Sequence, residues 1–145
     1  MSILVNETAR VSGLMQHPRD AHACMVLAHG AGAGMDHPFM VQIAQDLAAR
    51  GVATLRHQFP YMERGGKRPD APALCHATVR AAVQAAREFA PALPLIAGGK
   101  SFGARMTRKH KQVHRYPMSA AWHSWAFRCM RRTGRPVYEA SISCR

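Results

Sequence analysis

Acidic residues are scarce in this chain, and they are scarcest towards its C-terminus. Eight Asp and Glu stand against 20 Lys and Arg, which gives a formal net charge of +12. No aspartate follows Asp70, and Glu139 is the only acidic residue after Glu88. Such an excess of basic residues is typical of proteins that bind nucleic acids or anionic surfaces. The distribution of the positive charge along the chain therefore decides whether it indicates binding of this kind.

Several other sequence features are missing as well. No run of eighteen apolar residues is present, which argues against a membrane span. The N-terminus lacks the basic and then apolar pattern of a signal peptide. The four cysteines form no C-x-x-C pair; they are Cys24, Cys75, Cys129 and Cys144. We therefore expect reduced thiols in a cytoplasmic protein, with no disulfide framework, no metal site and no cofactor.

The positive charge is concentrated at the C-terminal end of the chain. Residues 1–107 hold 11 basic and 7 acidic residues, whereas residues 108–145 hold 9 basic residues and one acid. Two-thirds of the net charge, and both tryptophans, thus lie in the last 38 residues. We predict two parts of different character. Residues 1–107 belong to a globular domain, and residues 108–145 form a basic tail that is frameshifted or disordered.

The pattern of apolar segments in residues 1–107 predicts an α/β fold. Short apolar runs over 24–28, 52–55 and 95–97 indicate buried strands. Helices are predicted over 39–48 and 73–89 and from about residue 102, with a short edge strand at 3–5; in the second helix Leu74, Ala77, Ala81 and Ala85 mark one face. This alternation indicates a mostly parallel sheet with helices on both faces.

The pentapeptide Gly99-Lys100-Ser101-Phe102-Gly103 follows the last predicted strand. A G-x-S-x-G sequence between a strand and a helix is typical of a nucleophile elbow, a turn that presents the serine hydroxyl above the sheet. One alternative is a structural turn with a solvated serine. A phosphate-binding loop is a poor match, because Pro94 stands where that motif requires its first glycine.

A second glycine-rich segment, residues 29–34, follows the first parallel strand. Backbone N–H groups in such a loop stabilise the negatively charged oxygen that forms during acyl transfer. We assign the N–H groups of Ala31 and Phe102 to this oxyanion hole. An ordinary glycine-rich turn is the alternative, and the elbow farther along the chain favours the oxyanion hole. We expect His29 to order the loop by hydrogen bonding.

Polar residues after the second parallel strand offer further candidates. Arg56 and Tyr61 are placed at a possible substrate mouth, although a solvated charged loop explains them equally well. His57 is expected to be a solvated histidine in the same loop. Neither His29 nor His57 has the features of a general base.

Three segments together resemble one branch of a known family. They are Leu27–Phe39, Arg56–Glu63 and Ala97–Met106, and they span roughly residues 23–107. They resemble the dienelactone-hydrolase-like branch of the α/β-hydrolases. That branch also includes hydrolase-like domains of a human testis-expressed protein and a chromatin-complex subunit. The resemblance implies an α/β-hydrolase fold with Ser101 as nucleophile, whereas dienelactone hydrolases themselves use cysteine.

The sequence after Ser101 departs from the pattern of such enzymes. In this fold the catalytic triad follows the order serine, then Asp or Glu, then His. Glu139 is the only acid after Ser101, and no histidine follows it; His110, His114 and His123 all precede it. A serine hydroxyl without a general base is a weak nucleophile. We therefore expect the chain to contain only the N-terminal part of a hydrolase domain and to be inactive.

The genetic code suggests why the C-terminal segment differs. Trp has the single codon TGG, Met has ATG, and His has CA followed by a pyrimidine. If the third base of each codon from Ala121 to Cys129 is read with the next two bases, common codons give Leu-Ala-Phe-Leu-Gly-Phe-Pro-Leu-His. This apolar run resembles the strand that the family places after the elbow helix. We hypothesise a frameshift at or near Thr107 to Arg108.

The sequence thus favours a serine hydrolase that acts on an ester, a thioester or a similar acyl bond, with a small-molecule acyl substrate as its partner. Two other classes stay open. One is a non-catalytic module for binding or scaffolding that retains the fold without the triad. The other, less favoured, is a nucleic-acid-binding protein that uses the basic tail and its stacking tryptophans.

Overall fold

The structure is a computed structural model that describes residues 1–108; the predicted basic tail lies outside the described residues, apart from Arg108. Five strands and four helices follow one another along this part of the chain. They are β1 (Ser2–Leu4), β2 (Arg10–Gln16), β3 (Ala23–Ala28), α1 (Pro38–Ala48), β4 (Val52–His57), α2 (Pro60–Glu63), α3 (Pro72–Phe89), β5 (Leu95–Gly99) and α4 (Phe102–Arg108).

Within residues 1–108 the strands form one mixed sheet in the order β1-β2-β4-β3-β5. The pairs β3–β4 and β3–β5 are parallel, as predicted, whereas β1–β2 and β2–β4 are antiparallel. The short N-terminal strand lies at an edge of the sheet. The strand β2 was not predicted, because Ser12, Gly13 and Gln16 interrupt its apolar pattern.

The strand β3 forms the centre of the parallel part. Five of its six residues are buried, and they point alternately to both faces of the sheet. On one face Cys24 and Val26 pack with Ala82 and Ala86 of α3. Burial on both faces explains why this strand appears in the sequence as a continuous apolar run.

The buried face of α3 differs from the predicted one. Its buried residues are Cys75, Thr78, Val79, Ala82 and Ala86, whereas the predicted face residues Leu74, Ala77, Ala81 and Ala85 are only half-buried. The helix is therefore rotated by one residue from the prediction. Alanines occur all around this helix, so their spacing alone does not define the face that packs against the sheet.

A second apolar cluster lies under the carboxyl ends of the parallel strands. It contains Ala28 at the end of β3, Phe59 and Tyr61 after β4, Val79 of α3 and Phe102 of α4. The Phe59 ring meets the Phe102 ring edge-on, with centroids 5.3 Å apart. The end of β4, predicted to continue into a long loop, thus leads directly into this cluster through the short helix α2.

Cys24 and Cys75 are free and buried, and burial raises the pKa of each thiol to about 11. Both are therefore protonated at neutral pH and unreactive. Cys129 and Cys144 lie outside the described residues. In the part of the chain that the structure describes, no group of His, Cys, Asp and Glu has the arrangement of a metal site, and no helix is long and apolar enough for a membrane span.

Candidate active site

Ser101 lies at the sharp turn between β5 and α4, and it is exposed. Its φ angle is 49°, and within residues 1–108 no other non-glycine residue has a positive φ. A side chain in this region of backbone space costs roughly 1–3 kcal/mol, so it persists only where the surroundings enforce it. Such strain is a known property of nucleophile elbows.

The two glycines of the pentapeptide allow the turn to pack against the end of β3. A Cβ atom added to Gly99 would lie 2.3 Å from the carbonyl oxygen of Ala28. One added to Gly103 would lie 2.4 Å from the same oxygen and 2.6 Å from the carbonyl oxygen of His29. These contacts are with backbone atoms, which cannot move aside as a flexible side chain can. Only glycine therefore fits at either position.

The glycine-rich loop at residues 29–34 lies beside this turn. A Cβ atom on Gly30 would be 3.8 Å from the carbonyl oxygen of Lys100. His29 is fully buried; its Nδ1 lies 2.7 Å from the Gly30 carbonyl oxygen, and its Nε2 accepts a hydrogen bond from the Phe59 N–H at 3.1 Å. His29 therefore orders the loop, as predicted, and the two bonds together define a neutral ring with its proton on Nδ1.

Both predicted oxyanion donors lie in these two segments. Within residues 1–108 the backbone N–H groups of Ala31 and Phe102 donate to no backbone carbonyl. Phe102 is the first residue of α4, where a backbone N–H has no partner inside the helix. The hydrogen bond from His29 fixes the Gly30 carbonyl, and the N–H of Ala31 points the opposite way because the peptide unit between them is planar and trans.

Tyr61, predicted at a possible substrate mouth, is buried against the glycine-rich loop. Its ring is 2% exposed, and its hydroxyl donates a hydrogen bond of 2.9 Å to the Ala31 carbonyl oxygen. Burial is the main cause that raises the pKa of Tyr61 to about 12. Tyr61 thus holds the glycine-rich loop from below. The sequence contained one indication of this role. Tyr61 closely follows β4, and the glycine-rich loop follows β3, which is parallel to β4 and ends at the same edge of the sheet.

The two basic residues named for the site have defined partners. Arg56, predicted at the mouth, is half-buried, and its Nη1 donates to the Met35 carbonyl oxygen at 3.0 Å. It therefore secures the segment after the glycine-rich loop instead of lying in a solvated loop. The Nζ of Lys100 lies over the ring of Phe39, 4.0 Å from its centroid. This contact directs the side chain of Lys100, the residue before Ser101, towards α1.

The prediction for His57 was wrong. His57 is the last residue of β4 and is fully buried, with its ring edge-on to Phe59 at 5.2 Å between centroids. Burial is the main cause that lowers its pKa to about 4, and the nearby His29 adds to this effect. Side chains alternate between the two faces of β4, and this alternation places the His57 side chain in the core. The polar residues after His57 do not reveal where the strand ends, so the sequence did not show that His57 belongs to β4.

Acidification is expected to destabilise the fold through His57. Between pH 6.5 and about 4 the unfolded chain binds a proton that the folded chain does not, so stability falls as the pH falls. The shift corresponds to roughly 3 kcal/mol. His57→Gln should therefore lose less stability between pH 7 and pH 4 than the unsubstituted chain, as measured by urea unfolding. Equal losses in both proteins would contradict this prediction, and His17→Gln, at an exposed position, is the control.

The family of the chain follows from a comparison with known protein domains. A family model described as "Alpha/beta hydrolase domain" matches residues 21–129. This chain belongs to the α/β-hydrolase family. The match continues past residue 107, and the predicted boundary between the two parts of the chain stays a prediction. No curated protein matches the chain significantly.

Solved structures support the same fold. An α/β serine hydrolase homologue from Coxiella burnetii has 18% identity and a TM-score of 0.67, covering 78% of this chain and 57% of its own. A dienelactone hydrolase from Anabaena variabilis has 22% identity and a TM-score of 0.62, covering 73% and 52%. A lidless serine hydrolase from Xanthomonas campestris has 18% identity and a TM-score of 0.61, covering 74% and 52%. The chain thus spans little more than half the length of these relatives, and the likeness to them shows the fold.

Proposed function

We propose that this chain derives from a serine hydrolase that cleaves an ester, thioester or similar acyl bond of a small molecule, with Ser101 as the nucleophile. The observation that carries the proposal is the strained φ of 49° at Ser101, in a turn that two glycines let pack on the backbone of Ala28. The serine hydrolases among its structural relatives agree with this chemistry.

In the proposed reaction the Ser101 hydroxyl oxygen attacks the acyl carbon and forms a tetrahedral intermediate. The N–H groups of Ala31 and Phe102 stabilise its negative oxygen. The bond to the leaving group then breaks, and the leaving group takes the proton that the serine lost. Water next attacks the acyl-enzyme, which releases the acid and restores the hydroxyl. His29 and Tyr61 act as positioning residues, since they hold the loop that carries the Ala31 N–H.

We propose further that the chain as written does not perform this reaction. Both proton transfers require a base and an acid group that orients it, and this fold supplies them after the nucleophile in the order acid, then histidine. Glu139 is the only acid after Ser101, and no histidine follows it. His29 and His57 are buried and bonded to the backbone, so neither replaces the missing base.

A fluorophosphonate probe tests this proposal. Such a probe reacts with a serine only when the hydroxyl is activated. The 145-residue protein should label no faster than its Ser101→Ala variant, and an active serine hydrolase serves as a positive control. Rapid labelling of Ser101 would contradict the proposed inactivity and support an intact active site built in another way.

The composition of residues 108–145 supports a shift of reading frame as the cause of the missing groups. We propose that it lies at or near codons 107 and 108. It would explain the excess of charge, the two tryptophans and the absence of an acid and histidine pair together. Resequencing the gene tests it: a second frame that contains stop codons over this segment would contradict it.

A non-catalytic binding module is the second candidate, favoured by the absence of that acid and histidine pair after Ser101. A second frame that is open but encodes no acid followed by a histidine would support it. A DNA affinity that falls with salt and disappears when residues 108–145 are deleted would instead support nucleic-acid binding through the basic tail.

A further inference from the structure

A buried histidine attaches the glycine-rich loop to the segment that follows β4. His29 is fully buried; its Nδ1 lies 2.7 Å from the Gly30 carbonyl oxygen, and its Nε2 accepts a hydrogen bond from the Phe59 N–H at 3.1 Å. The rings of His29 and Phe59 also meet edge-on, with centroids 4.9 Å apart. One imidazole thus joins two segments, and it uses one donor nitrogen and one acceptor nitrogen to do so.

These two hydrogen bonds require the neutral form of the His29 ring. In an imidazolium both ring nitrogens are donors. A proton on Nε2 would face the Phe59 N–H across the same 3.1 Å, so the hydrogen bond between them would be lost. The Phe59 N–H also occupies the position that an acceptor for this proton would need, and a buried charge without a partner is costly. The closed loop and a charged His29 are therefore incompatible.

The groups on the surrounding elements do not compensate for a positive charge on His29. The titratable and charged groups there are the Tyr61 hydroxyl, the His57 imidazole, the Cys75 thiol, the Lys100 ammonium and the Arg105 guanidinium. None of these is a carboxylate, and the Asp70 carboxylate is already paired with Arg64. Burial is the main cause that lowers the pKa of His29, and a charge on His29 also lowers the pKa of His57.

The residues of the loop give it little stiffness of their own. Gly30 and Gly32 have no side chains, and a Cβ atom at Gly32 would meet no atom within 4 Å. Glycine backbones adopt many conformations once they are released. When the His29 bond is lost, the Gly30 carbonyl can turn, and the N–H of Ala31 turns with it because both belong to one planar peptide unit. Release of His29 therefore misdirects the proposed oxyanion donor.

We propose that His29, through its bonds to Gly30 and Phe59, is a pH-sensitive latch of the glycine-rich loop, and that acid opens residues 30–34 while the strands stay folded. The inference rests on the proposed function, because it concerns regulation of the same site. The closed loop excludes the proton, whereas the open loop binds it with the ordinary histidine pKa of 6.5. The loop is therefore closed above pH 6.5 and opens progressively as the pH falls below this value.

Amide hydrogen exchange in the 145-residue protein tests the latch. It is measured by NMR between pH 7.5 and pH 5.5 and corrected for the intrinsic pH dependence of exchange. The Phe59 and Ala33 amides report on the loop, because they donate to His29 Nε2 and to the Gly30 carbonyl oxygen. Their opening constants should rise about 10-fold over this range, which corresponds to uptake of one proton with a pKa of 6.5.

Amides of the central strands provide the comparison within the same protein. The Leu55 amide lies in β4, which is paired on both sides, so its exchange requires global unfolding. Global unfolding exposes both His29 and His57, and its constant should rise about 100-fold between pH 7.5 and pH 5.5. At each pH it should also be far smaller than the opening constant of the loop. The two slopes therefore separate local opening from unfolding.

Two variants assign the proton to one histidine. In His29→Gln the new side chain keeps an acceptor oxygen but does not titrate, so the loop amides should lose their pH dependence. His57→Gln is the matched control, and it should leave the 10-fold rise at the loop unchanged. If His29→Gln does not fold, the ring 15N shifts of His29 in the unsubstituted protein decide instead. They should show the neutral ring with its proton on Nδ1 while the loop is closed, and the imidazolium only when it is open.

Three outcomes would overturn the proposal. One is loop exchange that does not change with pH. Another is the same opening constant and slope for loop and strand amides, which would mean that the loop opens only by global unfolding. The third is a charged His29 in a loop that stays protected. These measurements do not depend on activation of Ser101, so the absence of any Ser101 labelling would count against the proposed function and not against the latch.

Discussion

Gly103→Ala is expected to lower the free energy of unfolding by about 3 kcal/mol. The added Cβ atom would lie 2.4 Å from the Ala28 carbonyl oxygen and 2.6 Å from that of His29. Relief requires α4 to move away from the end of β3, which disrupts the turn that carries Ser101. Helix propensity acts in the opposite direction, because alanine is about 1 kcal/mol more favourable than glycine inside a helix. The sign of the change therefore identifies the dominant effect.

Gly32→Ala provides the matched control, because a Cβ atom at Gly32 would meet no atom within 4 Å. Its stability should stay within about 0.5 kcal/mol of the unsubstituted protein. Urea unfolding followed by circular dichroism measures both variants. An equal or higher stability of Gly103→Ala would show that the turn does not pack against β3 as described, and it would remove the steric reason for glycine in the pentapeptide.

Restoring the second reading frame is expected to create esterase activity that the 145-residue protein lacks. The proposed frameshift implies that the second frame encodes an acid and then a histidine, the order that the fold requires, and insertion of one nucleotide between codons 107 and 108 brings that frame into translation. The loss of a complete triad in serine hydrolases lowers the rate by a factor on the order of 10^4 or more. Hydrolysis of a short p-nitrophenyl ester should therefore rise by at least about 1,000-fold, a conservative bound.

Two variants of the frame-restored protein separate catalysis from folding. Ser101→Ala should return the rate to that of the 145-residue protein without changing the unfolding midpoint. Tyr61→Phe should leave Ser101 in place but free the Ala31 carbonyl, so we expect a lower kcat with little change in KM. A frame-restored protein that folds and yet shows no hydrolysis would exclude the short-acyl substrate class and favour the binding module.

The parts of the fold that the sequence predicted are those with strong local patterns. The strand β3 is buried on both faces and appears as an unbroken apolar run, and the elbow is recognisable because glycine and serine occur at fixed positions. By contrast, β2 lies towards the edge of the sheet with a mixed pattern, and α3 contains alanine on all sides. In both cases tertiary packing, and not local sequence, selects the buried face.

The residues of the candidate site also divide into those with a local sequence motif and those that depend on tertiary packing. Ser101, Ala31 and Phe102 were named from motifs, and the structure brings their two segments together at the ends of neighbouring strands. The support beneath them was not predicted: the Tyr61 hydroxyl bonds to Ala31, and His57 is buried beside Phe59. Hydrogen bonds between residues 30 positions apart depend on how the sheet aligns β3 and β4, which no local pattern records.

Labelling of Ser101 by a fluorophosphonate, located by mass spectrometry in the 145-residue and the frame-restored proteins side by side, tests whether the chain retains the nucleophile turn of a serine hydrolase without the groups that activate it. We expect an adduct on Ser101 in the frame-restored protein and none above background in the 145-residue protein. An adduct that forms equally fast in both proteins, or only on another residue, would contradict this expectation.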